Sequence, residues 1–117
     1  MTDKKNSNAE FEHGVALFNA RDFFQAHEVW EDVWRITSLP DKQKLQGMIQ
    51  IAVAMHHYST GNREGAKSVI ARALQNLAGS DDAFRGVNLV RLREDIERVL
   101  RKWKSNESVA PFQMQRS

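Results

Sequence analysis

Apolar positions recur along this chain at helical spacing almost throughout. Phe11, Val15 and Phe18 share one face behind Ser7-x-x-Glu10, the spacing of a capping box, so a first helix is predicted to open at Ser7. Asp22 opens a second run, with Gln25 placed to bond back to it. Pro40 cannot continue that helix, which should end near Ile36 or Thr37. The third run, from about Asp41 to Ser59, is apolar nearly all round (Leu45, Met48, Ile49, Ile51, Val53, Met55), which predicts the central, most buried helix. Gly61-Asn62 closes it and caps a fourth helix, whose stripe of Ala66, Val69, Ile70, Ala73, Leu74 and Leu77 runs to Gly79. Residues 80–88 read as a polar connection. A fifth helix, about 88–104, carries Leu89, Leu92, Ile96, Val99, Leu100 and Trp103 on one face. On its outer face Glu94 can pair with Arg98, and Glu97 with Arg101.

The pattern also repeats weakly at about 40 residues. Asp22-Phe23-Phe24-Gln25-Ala26 aligns with Asn62-Arg63-Glu64-Gly65-Ala66, so each half is a helical hairpin with a small alanine near the start of its second helix. The fold class is therefore all-α: a compact five-helix bundle of two tetratricopeptide-like hairpins and a C-terminal amphipathic helix. We expect one helical domain over 7–104, with 1–6 and 105–117 as flexible tails and Phe112, after Pro111, placed to dock back. The 117 residues suffice for one core without staples. No cysteine means no disulfide and no thiolate metal site. The polar start MTDKKNSNAE and the short apolar run Met48–Met55 give neither a signal peptide nor a membrane span, so a cytoplasmic protein without membrane association is expected.

Charge changes the picture only in its distribution. Residues 9–35 hold six acids against two bases, and residues 85–104 seven bases against three acids. The two halves can attract each other or stay solvated. The basic stretch lacks the interleaved aromatics of a base-stacking surface, so nucleic acid is not the expected partner.

Candidate chemistry gathers in the run AHEVWEDVW. Phe23, Ala26, Trp30 and Trp34 form the apolar centre of helix two, with His27 and Glu31 four residues apart at its border and Glu28 pointing away. On helix three, Gln46, Gln50 and His57 share a narrow polar stripe on a helix that should be buried, which costs free energy unless satisfied. The economical expectation is one interhelical cluster of His27, Glu31, Gln46, Gln50 and His57, walled by Trp30 and Trp34. One reading is structural: amides and indole N–H groups saturate the histidine and carboxylate and fix helix register. The other is a small-ligand or metal site. Its metal candidates, for a divalent cation such as zinc or iron, are His27, Glu31 and His57; Trp30, Trp34, Gln46, Gln50 and Glu28 are candidate ligand contacts. Glu31 with His27 can also form a metal-free acid–base pair. His-Glu-x-x-Glu is not the His-Glu-x-x-His of zinc proteases, and no phosphate-binding glycine loop is present. A purely structural cluster would leave an interaction module of helical hairpins as the alternative function, with self-association open.

These residues also carry a resemblance. Leu17-Phe18-Asn19, Ala26-His27-Glu28-Val29-Trp30-Glu31 with Trp34, Leu45-Gln46-Gly47 with Gln50, His57, and Gly61-Asn62 with Gly65-Ala66 follow one another in the order of the helical family called domain of unknown function 309. The resemblance covers Phe11 to Leu77. It implies an all-helical bundle and, through a label the family has carried, a metal-dependent hydrolase. It includes Glu28 among the motif residues and leaves everything after Gly79 outside.

Overall fold

Each apolar stripe becomes the buried face of a helix. The computed structural model describes residues 3–117, with side chains from Ser7 onward. Its elements are α1 (Asp3–Asn19), α2 (Phe23–Arg35), α3 (Asp41–Ser59), α4 (Arg63–Leu77), a short hairpin of β1 (Ala83–Phe84) and β2 (Val87–Asn88), and α5 (Leu89–Lys104). The class is all-α, as the periodicity predicts. Consecutive helices pack on one another, α1 on α2, α2 on α3, α3 on α4 and α4 on α5. The all-round apolar α3 lies mid-order in this arrangement and closes Leu45, Met48, Ile51, Ala52 and Ala54 from solvent. Trp30 fills the space between α1 and α2, with its ring 6.2 Å from those of both Phe11 and Phe18. Its indole N–H donates to the Phe11 carbonyl at 3.1 Å, which satisfies its one polar atom.

The 40-residue repeat reappears in the turns. After α1, the Asp22 N–H bonds the Leu17 carbonyl and the Arg21 N–H that of Phe18; after α3, Asn62 bonds His57 and Gly61 bonds Tyr58. Both are Schellman turns with a left-handed residue at the same place, Arg21 (φ +68°) and Gly61 (φ +92°). Asn106 (φ 57°) closes α5 in the same way. The Asn62 side chain then caps α4 by accepting from the Gly65 N–H, and Asn88 caps α5 by accepting from Arg91. Asp22, at the matching position before α2, makes no such side-chain bond.

Four local expectations are corrected. Ser7 does not open α1: it lies inside a longer helix, 6% exposed, and its hydroxyl accepts from Arg85 at 3.1 Å. Residues 83–88 are not simply a polar connection. Phe84 pairs with Val87 across Arg85-Gly86, both at positive φ, the backbone signature of a two-residue hairpin turn, and Phe84 and Val87 join the core. Arg98 pairs not with Glu94 but with Asp95 at 2.9 Å, because Asp95 sits on the buried side of α5 and needs a partner. Finally, the segment after α5 is not a free tail. Phe112 packs 5.6 Å from Phe18, Met114 is buried, and the Asn88 N–H bonds the Gln115 carbonyl at 2.8 Å. The apolar face of α1 and the open edge of β2 supply its partners. The expected tail 1–6 lies outside the residues whose side chains are described. Among the described residues no helix is long and apolar enough to cross a membrane.

Candidate functional site

The site is built on α2 and α3 where they run side by side. His27 projects from the border of α2, its side chain 19% exposed. Its Nδ1 lies 3.1 Å from the Phe24 carbonyl and its Nε2 3.4 Å from Glu31 Oε2. Both ring nitrogens therefore face acceptors, and only a doubly protonated ring donates to both at once. Glu31 also lies 3.9 Å from Arg35. Beside this pair, Phe24 stands 45% exposed with its ring 5.4 Å from His27 and 5.3 Å from His56. His57 follows at 6.4 Å from His56. Phe24, His27, His56, His57 and Val53 line one surface cavity of about 210 Å³. It is a mostly apolar groove rimmed by three imidazoles.

The five-residue cluster expected between the helices splits. His27, Glu31 and His57 stay near the groove, but Gln50 turns to α4, where its Oε1 accepts from Asn76 at 2.7 Å. Among the described residues no hydrogen bond joins Gln46 or Gln50 to His27 or Glu31. The physical reason is height: eleven residues separate Gln46 from His57, about 16 Å of helix axis, too long a stripe for one small site. Trp30 is not a wall of the groove but core, fully enclosed. Trp34 lies near the start of α3, with the Lys42 ammonium 4.1 Å above its ring, a cation–π contact. Glu28 is exposed, on the outward side where the helical wheel places it. Phe24 and His56 are groove residues that the periodicity missed. A large apolar side chain three residues before His27, off the apolar stripe, was the available signal.

The metal implied by the family label finds no fitting donors. Among the described residues no three His, Asp or Glu side chains converge to hold a cation. His27 is held between a carbonyl and a carboxylate, and His57 faces His56 rather than Glu31.

The bundle and its cleft define a small all-helical protein with a histidine-lined surface groove. The chain belongs to the family described as Domain of unknown function (DUF309), whose model matches residues 11–69. An uncharacterized protein of Aquifex aeolicus (strain VF5) is 37% identical over 84 residues, and the uncharacterized protein YpuF of Bacillus subtilis (strain 168) 32% identical over 83. These alignments take in 71% and 69% of this chain but only 25% and 47% of the relatives, so the chain spans between a quarter and a half of their length. The family match contains the whole groove. The hairpin, α5 and the C-terminal segment lie beyond it. The tetratricopeptide-like interaction reading gains no support from the fold beyond the recurrence of the hairpins.

Proposed function

We propose that the α2–α3 groove binds a small organic ligand with an aromatic or apolar body and one polar group. The observation that carries this reading is the convergence of half-exposed Phe24, Val53 and the imidazoles of His27, His56 and His57 on one cavity of about 210 Å³. That volume falls below the roughly 300–1,000 Å³ of drug-sized sites, which favours a ligand of about one ring. Phe24 and Val53 cover the ring; the imidazoles of His56 and His57 meet the polar group, beside a His27 held in place by Glu31 and the Phe24 carbonyl. Exposed aromatic surface beside hydrogen-bonding imidazoles is a common composition of ligand sites. The reading assigns binding and no reaction, in a cytoplasmic protein whose lack of cysteine suits a reducing compartment.

The test is a titration with phenol and with indole, followed by the imidazole resonances of the folded protein. The expected result is selective, saturable shifts at His27, His56 and His57. They should vanish in Val53→Trp, which fills the cavity, and weaken in Phe24→Ala, a substitution at an exposed position. Shifts that persist unchanged in both variants, or no shifts at millimolar probe, would overturn the reading.

A further inference from the structure

A second cleft lies between the α1–α2 turn, α5 and the C-terminal segment, and most of its lining is beyond the residues of the family match. Its volume is about 450 Å³, and Arg21, Arg91, Arg98, Asp95, Gln113 and Gln115 are among its lining residues. Three arginines and one aspartate line it, and that carboxylate is already engaged by two of them. Asp95, with its side chain 3% exposed, takes Arg98 at 2.9 Å and Arg91 at 3.4 Å on the same oxygen. It acts as an anchor that fixes two guanidinium groups at the cleft while leaving the lining with a surplus of two positive charges.

Arg21 is the second, independent observation. It holds the left-handed position of a Schellman turn, at φ +68°, where the matching turn 40 residues later has Gly61. Asn106, in the third such turn, is a residue type that tolerates this backbone. Arg85, the other arginine at positive φ, is held by Ser7. Arg21 has no such compensation: its side chain makes no ion pair or hydrogen bond with a described residue and lines the cleft instead. A strained backbone that delivers a charged side chain to a cleft is the pattern of a functional position.

We infer that this cleft binds a phosphate monoester of a small organic molecule. Guanidinium forks match the oxygens of a phosphate, two at a time. A phosphomonoester carries about −1.5 to −2 charges at neutral pH, which meets the surplus of the lining; a single carboxylate meets half of it. The amide side chains of Gln113 and Gln115 offer donors and acceptors to the rest of the molecule. Arg91 and Arg98 are 56% and 38% exposed, so the attraction is screened by salt.

Calorimetric titration at low ionic strength with ribose 5-phosphate tests this, with inorganic phosphate, benzoate and a single-stranded oligonucleotide as comparison probes. One saturable site for ribose 5-phosphate is expected, displaced by inorganic phosphate and not by benzoate. Arg21→Gly should weaken it about tenfold or more, the loss of one charge-assisted contact. This variant also removes the strained side chain, so it should keep its fold, which thermal melting checks. Arg98→Gln should weaken binding to a similar degree, whereas Phe24→Ala, in the other groove, should leave it unchanged. The inference is overturned if ribose 5-phosphate does not saturate, if Arg21→Gly binds it as wild type does, or if only inorganic phosphate or only the oligonucleotide binds.

Discussion

Gly14 lies where α1 meets the Trp30 indole, and a Cβ built there would overlap the ring at Nε1 and Cδ1 and sit 2.7 Å from Cε2. Three effects compete in Gly14→Ala. Alanine gains about 1 kcal/mol of helix propensity over glycine. Overpacking a closed core costs about 1–3 kcal/mol, and displacing the indole from the Phe11 carbonyl about 1 kcal/mol more. The costs win, so Gly14→Ala should lose about 1–3 kcal/mol, read as a lower midpoint in urea denaturation; an unchanged midpoint would contradict this packing. The same residues show what sequence reasoning can and cannot resolve. The helical wheel placed Trp30 at the apolar centre of α2, and it is core. Assigning it also to the wall of a site required knowing what lies across from it, which is Phe11 and Phe18.

At the scale of elements, one lysine ties α3 to the loop before the hairpin. Lys44, 12% exposed, donates to Asp81 at 3.0 Å and lies 3.6 Å from Asp41. The hydrogen bond to Asp81 raises its pKa above the ordinary 10.5; burial opposes this, and the charges of Asp81 and Asp41 add to the rise. A raised folded-state value means the stabilisation is complete below 10.5 and is lost as pH climbs through the folded value. The stability gap between wild type and Lys44→Met should therefore be constant from neutral pH to about 10 and close above it, as followed by denaturation at stepped pH. A gap that widens with alkalinity would refute it. Helix identity was legible because stripes and stop signals agree: α3 ends at Ser59 before Gly61, and Pro40 precedes its first residue. The hairpin was not, since two-residue strands carry no alternation, and Phe84 and Val87 are buried by α1 and the C-terminal segment rather than by any local pattern. Nor was the partner of Gln50, because a wheel gives direction around a helix and not which neighbour stands there.

Across the whole molecule, the segment after α5 ties distant parts of the chain together. The Asn19 side chain brackets the Met114 backbone, accepting its N–H at 2.8 Å and donating to its carbonyl at 3.4 Å. The Ser117 N–H bonds the Gly86 carbonyl, and Arg116 pairs with Glu12, tying the end of the described chain to the acidic stretch on α1. Removing residues 109–117 should strip Phe18 of Phe112 and cost about 2–4 kcal/mol, estimated from the apolar side chains exposed. Thermal melting of the shortened chain checks this, and an unchanged midpoint would show the segment to be dispensable. It also supplies one wall of the arginine cleft, so the same deletion should abolish ribose 5-phosphate binding. The sequence offered Phe112, after Pro111, as a residue placed to dock back, but not Met114 or the backbone pairing with β2. The segment's docking depends on a methionine and a phenylalanine spaced to reach two elements, which no periodic template describes.

The three indoles occupy three unlike surroundings. Trp30 is enclosed and hydrogen-bonded between α1 and α2; Trp103 is enclosed and stacked 4.5 Å from Tyr58, joining α5 to α3; Trp34 is half-buried beneath an ammonium at the head of α3. The protein thus carries its own optical reporters. A dissolved quencher reaches Trp34 in the native state, whereas emission from Trp30 and Trp103 becomes quenchable only when one or the other helix contact opens, so variants that keep a single one of these indoles time the loosening of each contact without an attached dye.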